Sequence, residues 1–152
     1  MGDIRRRPTL TYGDADGCGL AFVYGWSDDR MEVITVEADA ELLRLSAKPQ
    51  TFDIARQPSS LKVAVHIYGG PIRSFPFCTD IVLVPGAPDE RWRAIAGLIT
   101  IEMLPITDSI SGAPRQRATI RLSNAIFENA EGVRVSQAPP IVLTAVVGWF
   151  SG

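Results

Sequence analysis

Residues 92–104 read WRAIAGLITIEML, between loops that carry Pro85 and Pro88 on one side and Pro105 on the other. From Gly97 the run alternates: Ile99, Ile101 and Met103 point one way, Leu98, Thr100 and Glu102 the other. A period of two marks a β-strand with one face in a core and a Thr/Glu face nearer water. A helix competes for the same residues, because Trp92, Ile95, Ile99 and Met103 also fall at helical spacing and Pro88-Asp89-Glu90 would start one. Gly97 and the β-branched run Ile99-Thr100-Ile101 argue against it, since such side chains lose rotamer freedom in a helix. The expectation is a turn of helix at most, then a strand.

The same alternation recurs on both sides. Strand candidates are 9–12, stopped by Gly13-Asp14-Ala15-Asp16-Gly17, then 20–26, 31–38, 52–55, 61–68, 77–84, 116–123, 133–136 and 141–150. In 20–26 the large side chains Leu20, Phe22, Tyr24 and Trp26 oppose the small Ala21, Val23 and Gly25, as in a strand with one face in a core and one close to a neighbour. Residues 40–45 read equally as a helical turn or a strand. Turn signals at Ser27-Asp28-Asp29-Arg30, Gly69-Gly70-Pro71 and Asn129-Ala130-Glu131-Gly132 separate the runs. About eight to ten short strands without a long helix imply an all-β antiparallel fold, either a two-sheet sandwich of jelly-roll or immunoglobulin-like type or a barrel. Residues 1–8 are expected to be a flexible tail and 9–152 a single domain.

Two segments echo each other: Val33-Ile34-Thr35-Val36-Glu37 and Leu98-Ile99-Thr100-Ile101-Glu102, each followed by a similar tetrapeptide, Leu43-Arg44-Leu45-Ser46 and Ile120-Arg121-Leu122-Ser123. Duplication would relate the two halves as similar sheets. Chance reuse of strand residues explains the match as well, because true arrays repeat more often at a fixed period.

Composition narrows the function classes. In 152 residues, 46% are hydrophobic, and 15 basic against 17 acidic side chains leave a net charge of −2. Such a chain buries a core but carries no global field for nucleic acid or an anionic membrane. The only basic cluster, Arg5-Arg6-Arg7, belongs to the terminal segment. No run approaches the roughly 20 apolar residues that span a bilayer, and no apolar stretch follows the arginines as in a signal peptide, so a cytoplasmic setting is the default unless a leader has been removed. Cys18 and Cys78 stand 60 positions apart, much as in an immunoglobulin inter-sheet bridge, but Trp26 comes too soon after the first and Pro76 occupies the place of a tyrosine before the second. Free, partly buried thiols are the expectation.

Reactive groups are few. His66 is the one histidine, and a nucleophilic site would need Cys78 as thiolate, His66 as base and Asp80 or Asp53 to orient it. Cys78 has no neighbouring cations to lower its pKa, so packing is the simpler role. One histidine and two distant cysteines make no zinc site, and Asp14-Ala15-Asp16-Gly17 resembles a fragment of a calcium loop whose twelfth position is Gly25 rather than Glu. No phosphate-binding glycine motif and no GxSxG occur. No metal and no cofactor are expected. Walls for a small ligand or carbohydrate are offered by Trp26, Tyr68, Arg73 and Trp92, and a terminal sticky patch by Trp149 and Phe150. The leading expectation is a non-enzymatic module that works by contact, as a homodimer or with another protein. A small-ligand or carbohydrate binder comes second and a Cys-His hydrolase third.

Overall fold

The computed structural model describes residues 7–19, 21–56, 59–72, 88–106 and 115–148. The expected strand at 77–84 lies outside them. Among the described residues nine strands form one antiparallel sheet: β1 (Asp14–Cys18), β2 (Phe22–Trp26), β3 (Glu32–Ala38), β4 (Gln50–Asp53), β5 (Leu61–Ile67), β6 (Glu90–Ile106), β7 (Arg115–Glu128), β8 (Arg134–Ser136) and β9 (Ile141–Val147). A single 3-10 turn, Ile54–Arg56, is the only helical element among the described residues. The all-β antiparallel expectation holds. No helix among the described residues is long and apolar enough to cross a membrane.

The order runs β1-β2-β3-β5-β6-β7-β8, with β4 added to β6 and β9 added to β7. Two long strands make this possible. On one edge the start of β6 pairs with β5 (Val65↔Trp92) and its later part with β4 (Phe52↔Ile99), while β7 runs along the other edge from Arg93 to Ile106 (Ile101↔Ile120). Likewise β7 pairs first with β9 (Ile120↔Leu143) and then with β8 (Phe127↔Val135).

The change of partner coincides with a bulge. Register slips between Ala94 and Leu98, where Gly97 has φ +130° and Asn124, across the ladder, has φ +55°. Before the slip Trp92 and Ala94 face the core; after it Ile99, Ile101 and Met103 do. A bulge adds residues to one side and therefore swaps the parity of the strand. The helical spacing of Trp92, Ile95, Ile99 and Met103 is thus two period-two runs out of phase, and no helical turn forms. Glycine is required at 97, because a Cβ there would stand 2.7 Å from Ala125 Cα. Gln137, almost fully buried, closes the facing irregularity: its Nε2 donates to Leu122 O (2.7 Å) and Pro139 O (2.9 Å), and its Oε1 accepts from Ala125 N (3.1 Å).

The sheet curls so that its β1-β2 end lies against β9. A Cβ at Gly25 would meet Leu143 at 2.7 Å, and Gly148 N donates to Gly19 O at 2.6 Å. The small face of β2 therefore looks into the main core with Ile34, Val65, Trp92, Ile120 and Phe127, while its large side chains lie on the opposite face.

Other expectations shift. Residues 9–12 are not a strand; the Asp14-Ala15-Asp16-Gly17 segment, read as the turn ending it, is β1 itself, because the ladder with β2 outweighs turn propensity (Asp16↔Tyr24). The chain ahead of β1 is instead held by Glu32, fully buried, whose carboxylate accepts from Thr9 N (2.9 Å), Leu10 N (3.3 Å) and the Tyr12 hydroxyl. The two echoing halves also part company. Leu43-Arg44 lies in a turn and Leu45-Ser46 in irregular chain, whereas Ile120-Arg121-Leu122-Ser123 is in β7 paired to β6, so the two tetrapeptides take different structures.

Candidate functional site

Three regions collect the side chains that composition left available. The first is the outer face of β1, β2, β3, β5 and the start of β6. Pairing sets rows across it: Asp16, Tyr24, Thr35, Ala64 and Arg93 in one, Asp14, Trp26, Val33, His66 and Arg91 in the next. Tyr24, Trp26, Val33, Tyr68 and Ile72 are buried together, with Phe22 packed beside them. Tyr24 meets Trp26 edge-on at 6.4 Å, and the Arg30 guanidinium sits 5.8 Å above the Trp26 ring while pairing with Asp14 (3.1 Å). Burial, and next the Asp16 carboxylate, push the Tyr24 phenol up to about 12, partly opposed by Arg30.

His66 stands in this face with both ring nitrogens engaged. Arg91 Nε donates to Nδ1 (3.4 Å), so the proton of the neutral ring is on Nε2, which donates to Thr35 Oγ1 (3.1 Å). Burial, then the Arg91 charge, lower its pKa to about 4. A neutral ring tied between arginine and threonine is poorly placed as a general base. Cys18 is disulfide-bonded, contrary to the expected thiol; Cys78, the chain's other cysteine, lies outside the described residues, as do Arg73, Asp80, Trp149 and Phe150. The Asp14/Asp16 pair lies on an edge strand, Asp14 bonded to Arg30 and Asp16 to Gly17 N, and among the described residues no group of three or more His, Cys, Asp or Glu side chains could hold a metal ion.

The expected ligand walls divide between the two faces. Trp26 and Tyr68 share the outer cluster, but Trp92 is in the main core, its indole N–H donating to Glu90 Oε2 (3.0 Å). The parity of β6 before its bulge is the cause. Trp92 therefore lines no common pocket with Trp26.

A second region is a cleft of about 450 Å³ beside Phe22, bordered by Glu37, Asp39, Glu41, Ser60 and Lys62. It combines one aromatic wall with hydroxyl, ammonium and carboxylate groups. Sequence reasoning missed it, because residues 37–41 and 59–62 meet only through the β3–β5 pairing (Glu37↔Lys62) and the Asp39 N to Ser60 O bond of 2.8 Å.

The third region is the outer face of β4, β6, β7 and β9. Rows run Thr51, Thr100, Arg121, Val142 and Glu102, Thr119, Thr144, with Leu104, Arg117 and Val146 beyond. Leu98 is 45% exposed, Leu104 41% and Val142 51%, among threonines of which Thr51 and Thr100 bond each other at 2.9 Å. The sequence matches no protein-family model, no curated protein and no solved structure.

Proposed function

We propose that the protein is a non-enzymatic contact module whose working surface is the outer face of β4, β6, β7 and β9. One observation carries this: three large aliphatic side chains, Leu98, Leu104 and Val142, stand exposed on one continuous sheet face. Scattered apolar residues need no explanation, but three on a single sheet face with polar neighbours suit an interface. Its threonines and arginines supply hydrogen-bond donors at the rim of such an interface. The test is native-size analysis of the chain in the cells that make it. The chain is expected above its monomer mass, and Leu98→Asp with Val142→Asp is expected to return it there. Elution at the monomer mass, unmoved by the double substitution, would sink the reading.

A second reading, a small polar or carbohydrate ligand, rests on the cleft beside Phe22, whose ring edges a space with hydroxyl and charged groups. It predicts that a saccharide panel raises the melting temperature and that Phe22→Ala abolishes the shift. Hydrolysis by a Cys-His pair has less support, given the engaged ring nitrogens of His66.

The disulfide at Cys18 favours an oxidising compartment over the cytoplasm, where thiols are kept reduced. Thiol titration of the unfolded, unreduced protein is expected to find no free thiol; two reactive thiols in freshly isolated protein would restore the cytoplasmic reading.

A further inference from the structure

The proposed contact surface carries a charge pattern that is complementary to itself. On β6 the outward side chain at the centre of the face is Glu102; on β7 the outward arginines are Arg117 and Arg121, one row to either side of it. None of the three makes an ion pair with another described residue. Acid therefore occupies one column and base the neighbouring column, with Thr119 opposite Glu102.

From this, and resting on the contact-module reading, we infer that the occupant of the face is a second copy of the chain, packed face to face about a two-fold axis that lies in the interface parallel to the strands, between β6 and β7. This axis sets β6 of one protomer over β7 of its partner. Each Glu102 then stands above the partner's Thr119, between the partner's Arg117 and the partner's Arg121, and the contact occurs twice. The other in-plane axis, perpendicular to the strands, would stack Glu102 on its own copy and arginine on arginine. Like charges facing each other at close range disfavour that arrangement. In the favoured one, Val142 covers the partner's Thr51, and Leu104 lies along the aliphatic stem of the partner's Arg117. An acidic polymer is a worse occupant, because Glu102 interrupts the arginine column and Leu98, Leu104 and Val142 offer it nothing.

Aligned sheet packing suits such a face. Four strands about 4.8 Å apart, each contributing a run of about five residues at ~3.4 Å rise, present a few hundred Å² per protomer, the scale of a concentration-dependent dimer rather than an obligate one.

The test is sedimentation equilibrium of the purified full chain across concentration, with charge variants whose folding is checked by circular dichroism. Wild type is expected to dimerise reversibly. Glu102→Arg, and separately Arg117→Glu with Arg121→Glu, are each expected to weaken self-association by ~10-fold or more, because like charges then face each other. Mixing the two variants is expected to restore a heterodimer, since one now presents only base and the other only acid. A wild-type chain that stays monomeric to millimolar concentration overturns the second-copy inference. So does a dimer insensitive to all three substitutions, or a mixture that fails to pair. If the purified chain is monomeric while its complex in the cell still depends on Leu98 and Val142, the contact reading stands and only the second copy falls.

Discussion

At the scale of single residues, buried polar groups report where the chain is held together. Glu32 binds three donors from residues 9–12 and has no exposed surface. Glu32→Gln replaces a charged acceptor by an amide that cannot serve all three, and is expected to cost about 2–4 kcal/mol in chemical denaturation, with residues 9–12 losing amide protection first. Burial and the Glu32 charge also push the Tyr12 phenol well above its ordinary range. His66 makes stability sensitive to acid. Its folded pKa is lowered from 6.5 to about 4, so between these values the unfolded chain binds more protons and stability falls as the pH drops. His66→Asn is expected to flatten the stability profile relative to wild type in that window; identical slopes for the two proteins would rule His66 out as the cause. Cys18 adds a redox term: reduction is expected to remove about 2–5 kcal/mol, read as a lower melting temperature with reductant present.

At the scale of elements, the shared irregularity of β6 and β7 organises the sheet. It lets each long strand serve two successive partners along one edge, while β6 and β7 pair with each other along the opposite edges, and turns Trp92 and Ile99 to the same core although their numbers differ in parity. Gly97→Ala forces a side chain into a left-handed backbone against Ala125 Cα and is expected to prevent folding or to cost more than about 3 kcal/mol. Gln137→Ala leaves the Leu122 carbonyl and the Ala125 amide without their side-chain partner, at an expected cost of about 1–3 kcal/mol in denaturant titration. The parity switch also explains why residues 92–104 suggested a helix: apolar positions that drift in phase imitate a period of 3.6. Gly97 was the signal in the sequence, since an isolated glycine inside an alternating run marks a bulge.

At the scale of the whole molecule, the two sides of the sheet do different work. One side makes the main core; the other divides into a buried aromatic layer around Trp26 and the exposed face on β4, β6, β7 and β9. The proposed contact surface therefore lies on the later part of β6 and the first part of β7, on the far side of the bulge from the aromatic layer. Because β7 is held on one edge by β6 and on the other by β9, its outward arginines are presented on an interior strand of the sheet rather than on a fraying edge.

Alternation alone was enough to read β2, β3, β5, β9 and the later part of β6 as strands, and to divide Ile99, Ile101 and Met103 from Leu98, Thr100 and Glu102, because side-chain direction in a strand depends only on parity. It could not say that β2 turns its small face to the core, since that depends on the approach of β9 to Gly25 from more than a hundred residues away. Nor could it place Asp14-Ala15-Asp16-Gly17 in a ladder, where pairing with β2 prevails over local turn preference. The separation of Trp92 from Trp26 and the alignment of Glu102 beside Arg117 and Arg121 were likewise decided by strand order and register, which arise from contacts between distant segments and leave no local trace in the chain.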